Sequence, residues 1–125
     1  MKTALRETRR RPVGKIVSAA GIRRCVNCLL ENAPAGSQII LFGSYALGKP
    51  KPGSDLDFMV IEPEVTDRLG EMVRLRTALD TVIAPLLVAA DVVVASRRRF
   101  EEWRDTPNTI YREAARKGRV YDAIG

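Results

Sequence analysis

Histidine is missing altogether from the 125 residues. With it go the commonest general base, the Ser-His-Asp and Cys-His nucleophile schemes and any His-containing zinc site. Cysteine is scarce: Cys25 and Cys28 are too few for a disulfide framework, and no second ligand pair exists for zinc. That scarcity fits a reducing, cytoplasmic setting. Both lie within the apolar pattern of Ile22, Val26, Leu29 and Leu30, which reads as helix packing rather than thiol chemistry. Apolar stretches are interrupted within about 10 residues, where a membrane span needs ~20. Met1 to Arg11 is also too polar for a signal-peptide core. Any chemistry must therefore run on carboxylates, hydroxyls, backbone amides or a bound metal.

What is present is the balance of a folded domain, 46% hydrophobic and 29% charged residues with both signs interleaved. The length fits one domain over 1–125. The net charge of +6 is uneven, because residues 1–24 carry eight cations against one anion, Glu7. Residues 1–11 read as a basic, flexible tail. Two readings stay open for this run: contact with an acidic partner or nucleic acid, or a solvated tail and helix face. No aromatic residue is interleaved in it, so a stacking platform for single strands is missing and RNA contact is not favoured.

Apolar residues at Val13, Ile16, Val17, Ala20, Val26, Leu29 and Leu30 predict a helix over 13–32, ended by Asn32 to Gly36 with Pro34 as breaker. Gln38 to Phe42 reads as a buried strand running into Gly43-Ser44 and a short helical turn, Tyr45-Ala46-Leu47. Residues 48–54 are a loop by composition. Asp55 to Ile61 alternates as a strand, with Asp55, Asp57 and Met59 on one face and Leu56, Phe58 and Val60 on the other. Thr66 to Ile83 predicts an amphipathic helix capped by Thr66. Leu86 to Ala95 reads as a central strand, and Arg97 to Arg104 and Pro107 to Lys117 as helices, the last closed by Gly118. The order predicts an α/β (α+β) fold, a small mixed β-sheet flanked by helices.

Asp55, Asp57 and Asp91 stand in or at the ends of strands otherwise made of Val, Ile, Leu and Phe. Burying an unpaired carboxylate costs several kcal/mol, so something must compensate these anions. A shared magnesium ion suits them, since it takes oxygen ligands and completes its shell with water and phosphate. If the Asp91 strand lies beside the Asp55 strand, three carboxylates can hold two ions that activate a hydroxyl and neutralise a leaving phosphate. Gly43 and Ser44 offer backbone N–H groups and a hydroxyl to an anion at a helical turn. Ten residues separate Ser44 from Asp55, which suits adjacent strands.

Gly43-Ser44, ten residues, Asp55-Leu56-Asp57 and a later Ala-Asp-Val-Val-Val strand at Asp91 resemble the DNA polymerase beta-like nucleotidyltransferase superfamily. The similarity is greatest to the minimal nucleotidyltransferases that serve as antitoxins beside HEPN-domain toxins. It extends over residues 38 to about 122, including Ile110 to Ala114 and Lys117 to Tyr121, which look like the family's C-terminal helix and closing segment. The resemblance implies a polymerase beta-like fold, with Asp55, Asp57 and Asp91 as ligands to two Mg2+ ions. Asp91 would help to deprotonate the acceptor, and Gly43 and Ser44 would bind the phosphates of ATP. It further implies transfer of AMP to a tyrosine hydroxyl of a HEPN-type RNase toxin, the expected partner in a hetero-oligomer.

Two other classes remain. One is a non-catalytic antitoxin that occludes its toxin; the other is a nucleotidyltransferase acting on a small-molecule hydroxyl, disfavoured because about 30 residues follow the third strand. Lys49 and Lys51 admit either a solubilising or a triphosphate-binding role. Arg97 to Arg99 either solvate a helix start or face an acidic surface. Tyr45 either touches a base or roofs the core, while Phe100, Trp103 and Ile110 read as packing residues, with a partner-binding patch as the alternative.

Overall fold

Ser18 opens the first helix. In the computed structural model, which describes residues 16–122, its hydroxyl accepts from the Gly21 N–H at 3.1 Å and α1 runs Ala19–Asn32. The helix therefore begins later than the apolar pattern predicts, because Ser18 supplies the cap that the earlier residues lack. Val13 to Lys15 and the basic tail 1–11 lie outside the described residues. Cys25 is buried and Cys28 half-buried on this helix, and both are free thiols. Burial, reinforced by Cys28, pushes the Cys25 thiol up to about 11, and burial raises Cys28 as well. Both stay protonated and inert near neutral pH.

Strand β1 is Gln38–Phe42 and β2 is Leu56–Glu62, paired antiparallel. Helix α2, Arg68–Ile83, then crosses to β3, Ala90–Ser96, which lies parallel to β2, as a parallel pair requires a long connection. Helices α3, Arg97–Trp103, and α4, Ile110–Lys117, follow, and β4, Arg119–Asp122, returns antiparallel to β1. The four-stranded mixed sheet has the order β3-β2-β1-β4. This is the expected α/β (α+β) arrangement, consistent with a polymerase beta-like nucleotidyltransferase fold.

Alternation divides the core in two. Ile39, Leu41, Phe58, Val60 and Val94 pack with Leu29 of α1 and Leu75 and Leu79 of α2. Ile40, Met59, Ile61 and Ala95 pack on the other face with Phe100 of α3 and Tyr111 and Ala114 of α4. Because both faces are covered, these strands are apolar almost throughout.

Several expectations change. The predicted strand 86–95 begins only at Ala90, since Ala84–Leu86 is a 3-10 turn holding Pro85, and Leu87 closes it in the left-handed region at φ 54°. The resulting strand is an edge, not a central strand; coverage on both faces gave it the composition of one. Asp67 rather than Thr66 caps α2, accepting from the Gly70 N–H at 3.0 Å. Of its apolar positions Leu75, Leu79 and Ile83 are buried, whereas Leu69 and Val73 are exposed. Thr109, not Pro107, starts α4, and its hydroxyl accepts from the Arg112 N–H. Strand β4 is unanticipated: Arg119 to Asp122 has little apolar content and is a strand because β1 offers it a free edge. Among the described residues no helix is long and apolar enough to cross a membrane.

Candidate active site

Asp57 sits near the start of β2, level with Phe42 of β1 on one side and Asp91 of β3 on the other. Neighbouring strands lie ~4.8 Å apart, so register alone makes Asp57 and Asp91 neighbours. By alternation both stand on the sheet face covered by α3 and α4. Burial pushes the Asp57 carboxyl up to about 6, and the charges of Asp91, Asp55 and Glu113 of α4 push in the same direction. Half-buried and with three anions around it, this carboxylate is electrostatically strained.

Gly43 leaves β1 in the left-handed region at φ 81°, and a Cβ placed on it would lie 2.6 Å from Asp57 Oδ2. The missing side chain thus makes room for the Asp57 carboxylate. The following residues form a tight turn rather than a regular helix. The N–H groups of Ala46 and Leu47 both donate to the Gly43 carbonyl at 3.1 Å, and Lys49 N–H donates to the Ser44 carbonyl at 3.0 Å. Tyr45 is buried, and its hydroxyl accepts from the Val17 N–H at 3.0 Å, so it serves the core.

The other two carboxylates differ from the expectation of buried charge. Asp55 lies just before β2 and is exposed. Asp91 has 68% of its side chain exposed at the sheet edge, with Arg76 Nη1 of α2 4.0 Å from its Oδ1. Arg76 was not singled out from the sequence, since only the packing of α2 beside β3 brings it there. Among the described residues no three His, Cys, Asp or Glu groups form a ready-made ion cage. The set nevertheless suits a hard divalent cation. All donors are oxygens, the half-buried Asp57 takes part in no ion pair among the described residues, and magnesium binds through one or two carboxylates plus water and phosphate rather than in all-protein cages.

A second carboxylate cluster occupies the far end of β2. Glu62 is 2% exposed, and no hydrogen-bond donor among the described residues reaches its Oε2. Burial raises its pKa, and the hydrogen bond with Glu71 raises it further, because Glu62 must keep its proton to make that bond. Glu71 in turn is held low by Arg74, whose Nε and Nη2 donate to it at 3.0 and 2.7 Å. Arg74 Nη2 also donates to the Asn32 carbonyl at 2.7 Å, tying α2 to the end of α1. The alternation of Leu56, Phe58 and Val60, carried one step further, already points Glu62 inward; ending the strand at Ile61 hid it.

Near the proposed cradle, Lys51 N–H donates to Ser54 Oγ at 2.8 Å within the loop. Beyond β3, Ser96 caps α3, and Arg99 donates to the Tyr111 hydroxyl at 3.1 Å while lying over the Trp103 and Tyr111 rings. At least this arginine of the run serves packing.

The model of the nucleotidyltransferase domain family matches residues 22–117, a stretch that runs from within α1 to the end of α4 and includes Asp55, Asp57, Asp91, Glu62 and Glu71. The chain belongs to this family. Over 115 residues, 86% of this chain, it is also 29% identical to a Rhizobium johnstonii protein named phosphoglycerate kinase, and it spans 28% of that protein's length.

Proposed function

We propose that the chain transfers AMP from ATP to a tyrosine hydroxyl of a HEPN-type RNase toxin and thereby acts as its antitoxin. The observation that carries this reading is the side-by-side register of Asp57 and Asp91 with Gly43 fitted against Asp57, in a chain of the nucleotidyltransferase family. The acceptor and the toxin partner are supported by the resemblance of Gly43-Ser44, Asp55-Leu56-Asp57 and Asp91 to minimal nucleotidyltransferases.

Asp55, Asp57 and Asp91 are the residues to hold two Mg2+ ions, which when bound neutralise phosphate charge and lower the pKa of an acceptor hydroxyl. The backbone at Gly43 and the Ser44 hydroxyl orient the nucleotide's phosphates. Asp91, at the open sheet edge, takes the proton from the tyrosine hydroxyl. The phenolic oxygen then bonds to the α-phosphorus while the bond from that phosphorus to the oxygen bridging to the β-phosphate breaks, and pyrophosphate leaves. An added AMP beside an RNase site blocks RNA by bulk and by negative charge.

The test is incubation with radiolabelled ATP, magnesium and a HEPN partner. Label should appear on a partner tyrosine and disappear with Asp57→Asn. Full protection of cells by an Asp55→Asn, Asp57→Asn protein would instead identify an antitoxin that works by occlusion alone.

A further inference from the structure

The groove beside the catalytic end of the sheet has a chemistry that the carboxylates do not explain. It encloses about 540 Å³ between the turn after β1 and helix α4, with Leu47 on one wall and Ile110, Arg112, Glu113, Arg116 and Lys117 on the other. Asp55, Asp57 and Asp91 do not line it, but the turn that forms one wall adjoins them: Leu47 N–H donates to the Gly43 carbonyl at 3.1 Å, and a Cβ on Gly43 would meet Asp57. From the other wall, Glu113 is near enough to act on Asp57. Helix α4 buries Tyr111 and Ala114 against the sheet, which leaves its cations on the outer side. Among the described residues Arg112, Arg116 and Lys117 take part in no ion pair. Leu47 and Ile110 are exposed by 47% and 40%, respectively.

We propose that this groove docks an acidic polypeptide segment bearing the acceptor hydroxyl, its carboxylates paired with Arg112, Arg116 and Lys117 and an apolar side chain laid between Leu47 and Ile110. The inference rests on the adenylyl-transfer reading and deepens it by naming the kind of acceptor. Charge complementarity selects an anionic partner. A nucleic acid fits less well: among the described residues no aromatic side chain lines the groove for a base to stack on, and Glu113 on its wall opposes a continuous phosphate backbone. Aliphatic walls between cations match a protein segment in which acidic and apolar residues alternate.

The test uses the full chain and three fluorescent probes: a random glutamate–tyrosine copolymer, a lysine–tyrosine copolymer and a single-stranded RNA. Binding is measured by anisotropy without ATP, and AMP transfer is measured separately with labelled ATP and magnesium. The glutamate–tyrosine copolymer should bind and the lysine–tyrosine copolymer should not. Arg112→Glu with Arg116→Glu should weaken binding by about tenfold or more, with the remaining affinity less sensitive to salt. Leu47→Asp, on the opposite wall, should weaken it independently, which covers the case in which the helix variant fails to fold. Tight binding unaffected by either folded variant, or preference for the RNA, overturns the groove assignment. Groove-dependent binding without AMP transfer to copolymer or HEPN partner overturns the transfer reading and leaves the groove standing; undiminished labelling of a HEPN tyrosine by the groove variants does the reverse.

Discussion

The two ends of β2 carry the same kind of group under opposite arrangements. At each end burial raises a carboxyl's pKa, Asp57 at one and Glu62 at the other. Glu62 is answered from within: it hydrogen-bonds Glu71, which Arg74 clamps, and the arrangement ties β2, α2 and the end of α1 together. Asp57 has Asp91, Asp55 and Glu113 as neighbours, and among the described residues it takes part in no ion pair, Arg76 approaching Asp91 instead. A buried acid with an internal cationic partner is a structural joint. One surrounded by further acids is stabilised by a cation from outside, and such strain is characteristic of active sites.

The largest expected effect falls on the first end. Asp57→Asn should lower AMP transfer by at least roughly 100-fold, since even groups that merely support a metal ligand are worth ~10–100-fold. It should also raise the melting temperature of the metal-free protein by removing repulsion, the trade-off expected of a strained site. An unchanged melting temperature would mean that the neighbouring anions are better screened than their placement implies.

Next comes Gly43→Ala. A side chain at φ 81° whose Cβ lies 2.6 Å from Asp57 Oδ2 should cost about 1–2 kcal/mol in a urea titration. Transfer activity should fall further than the loss of folded protein accounts for, because the displaced group is Asp57 itself.

The second end is probed by pH. The folded state keeps the Glu62 proton where the unfolded chain has lost it, so stability is greatest below the ordinary glutamate pKa of ~4.3 and declines as pH rises through the elevated folded value. Glu71 has the opposite sign: its contribution is present above that ordinary value and fades as acid protonates it. Urea midpoints followed from pH 5 to 9 should therefore decline at the alkaline side in the parent. In Glu62→Gln, where an amide stands in for the protonated carboxyl, they should stay flatter.

Arg74→Met is the mildest change. Its side chain is 49% exposed, so screening limits the loss to about 1 kcal/mol at neutral pH, with AMP transfer per folded molecule unchanged. A matching loss of transfer would show that the two ends are not independent.

Much of this could be read from the chain. Gln38 to Phe42 was legible to the residue because a short, largely apolar run containing Ile39 and Ile40 and bounded by glycine turns has few other ways to fold. Asp55 and Asp57 stood out because carboxylates are rare among such neighbours, and the parallel placement of the Asp91 strand was a natural consequence of the helix between them. Helix starts were less legible, since Ser18, Asp67 and Thr109 compete as caps with nearby residues that differ little from them in chemistry. Glu62 escaped through a single misplaced strand end.

Local pattern set the element order, the two-faced apolar core and the identity of the acidic residues, because period and polarity are properties of short stretches of chain. Register across strands was settled only on folding: that Asp57 faces Asp91 directly, that β3 is an edge, and that β4 closes against β1. So were the approach of Arg76 to Asp91, the hydrogen bond of Arg74 to the Asn32 carbonyl, and the basic groove formed where α4 meets the turn after Gly43. Each of these joins residues distant in sequence or side chains from different elements, and their energies depend on distances and burial that exist only once the sheet and its helices have packed.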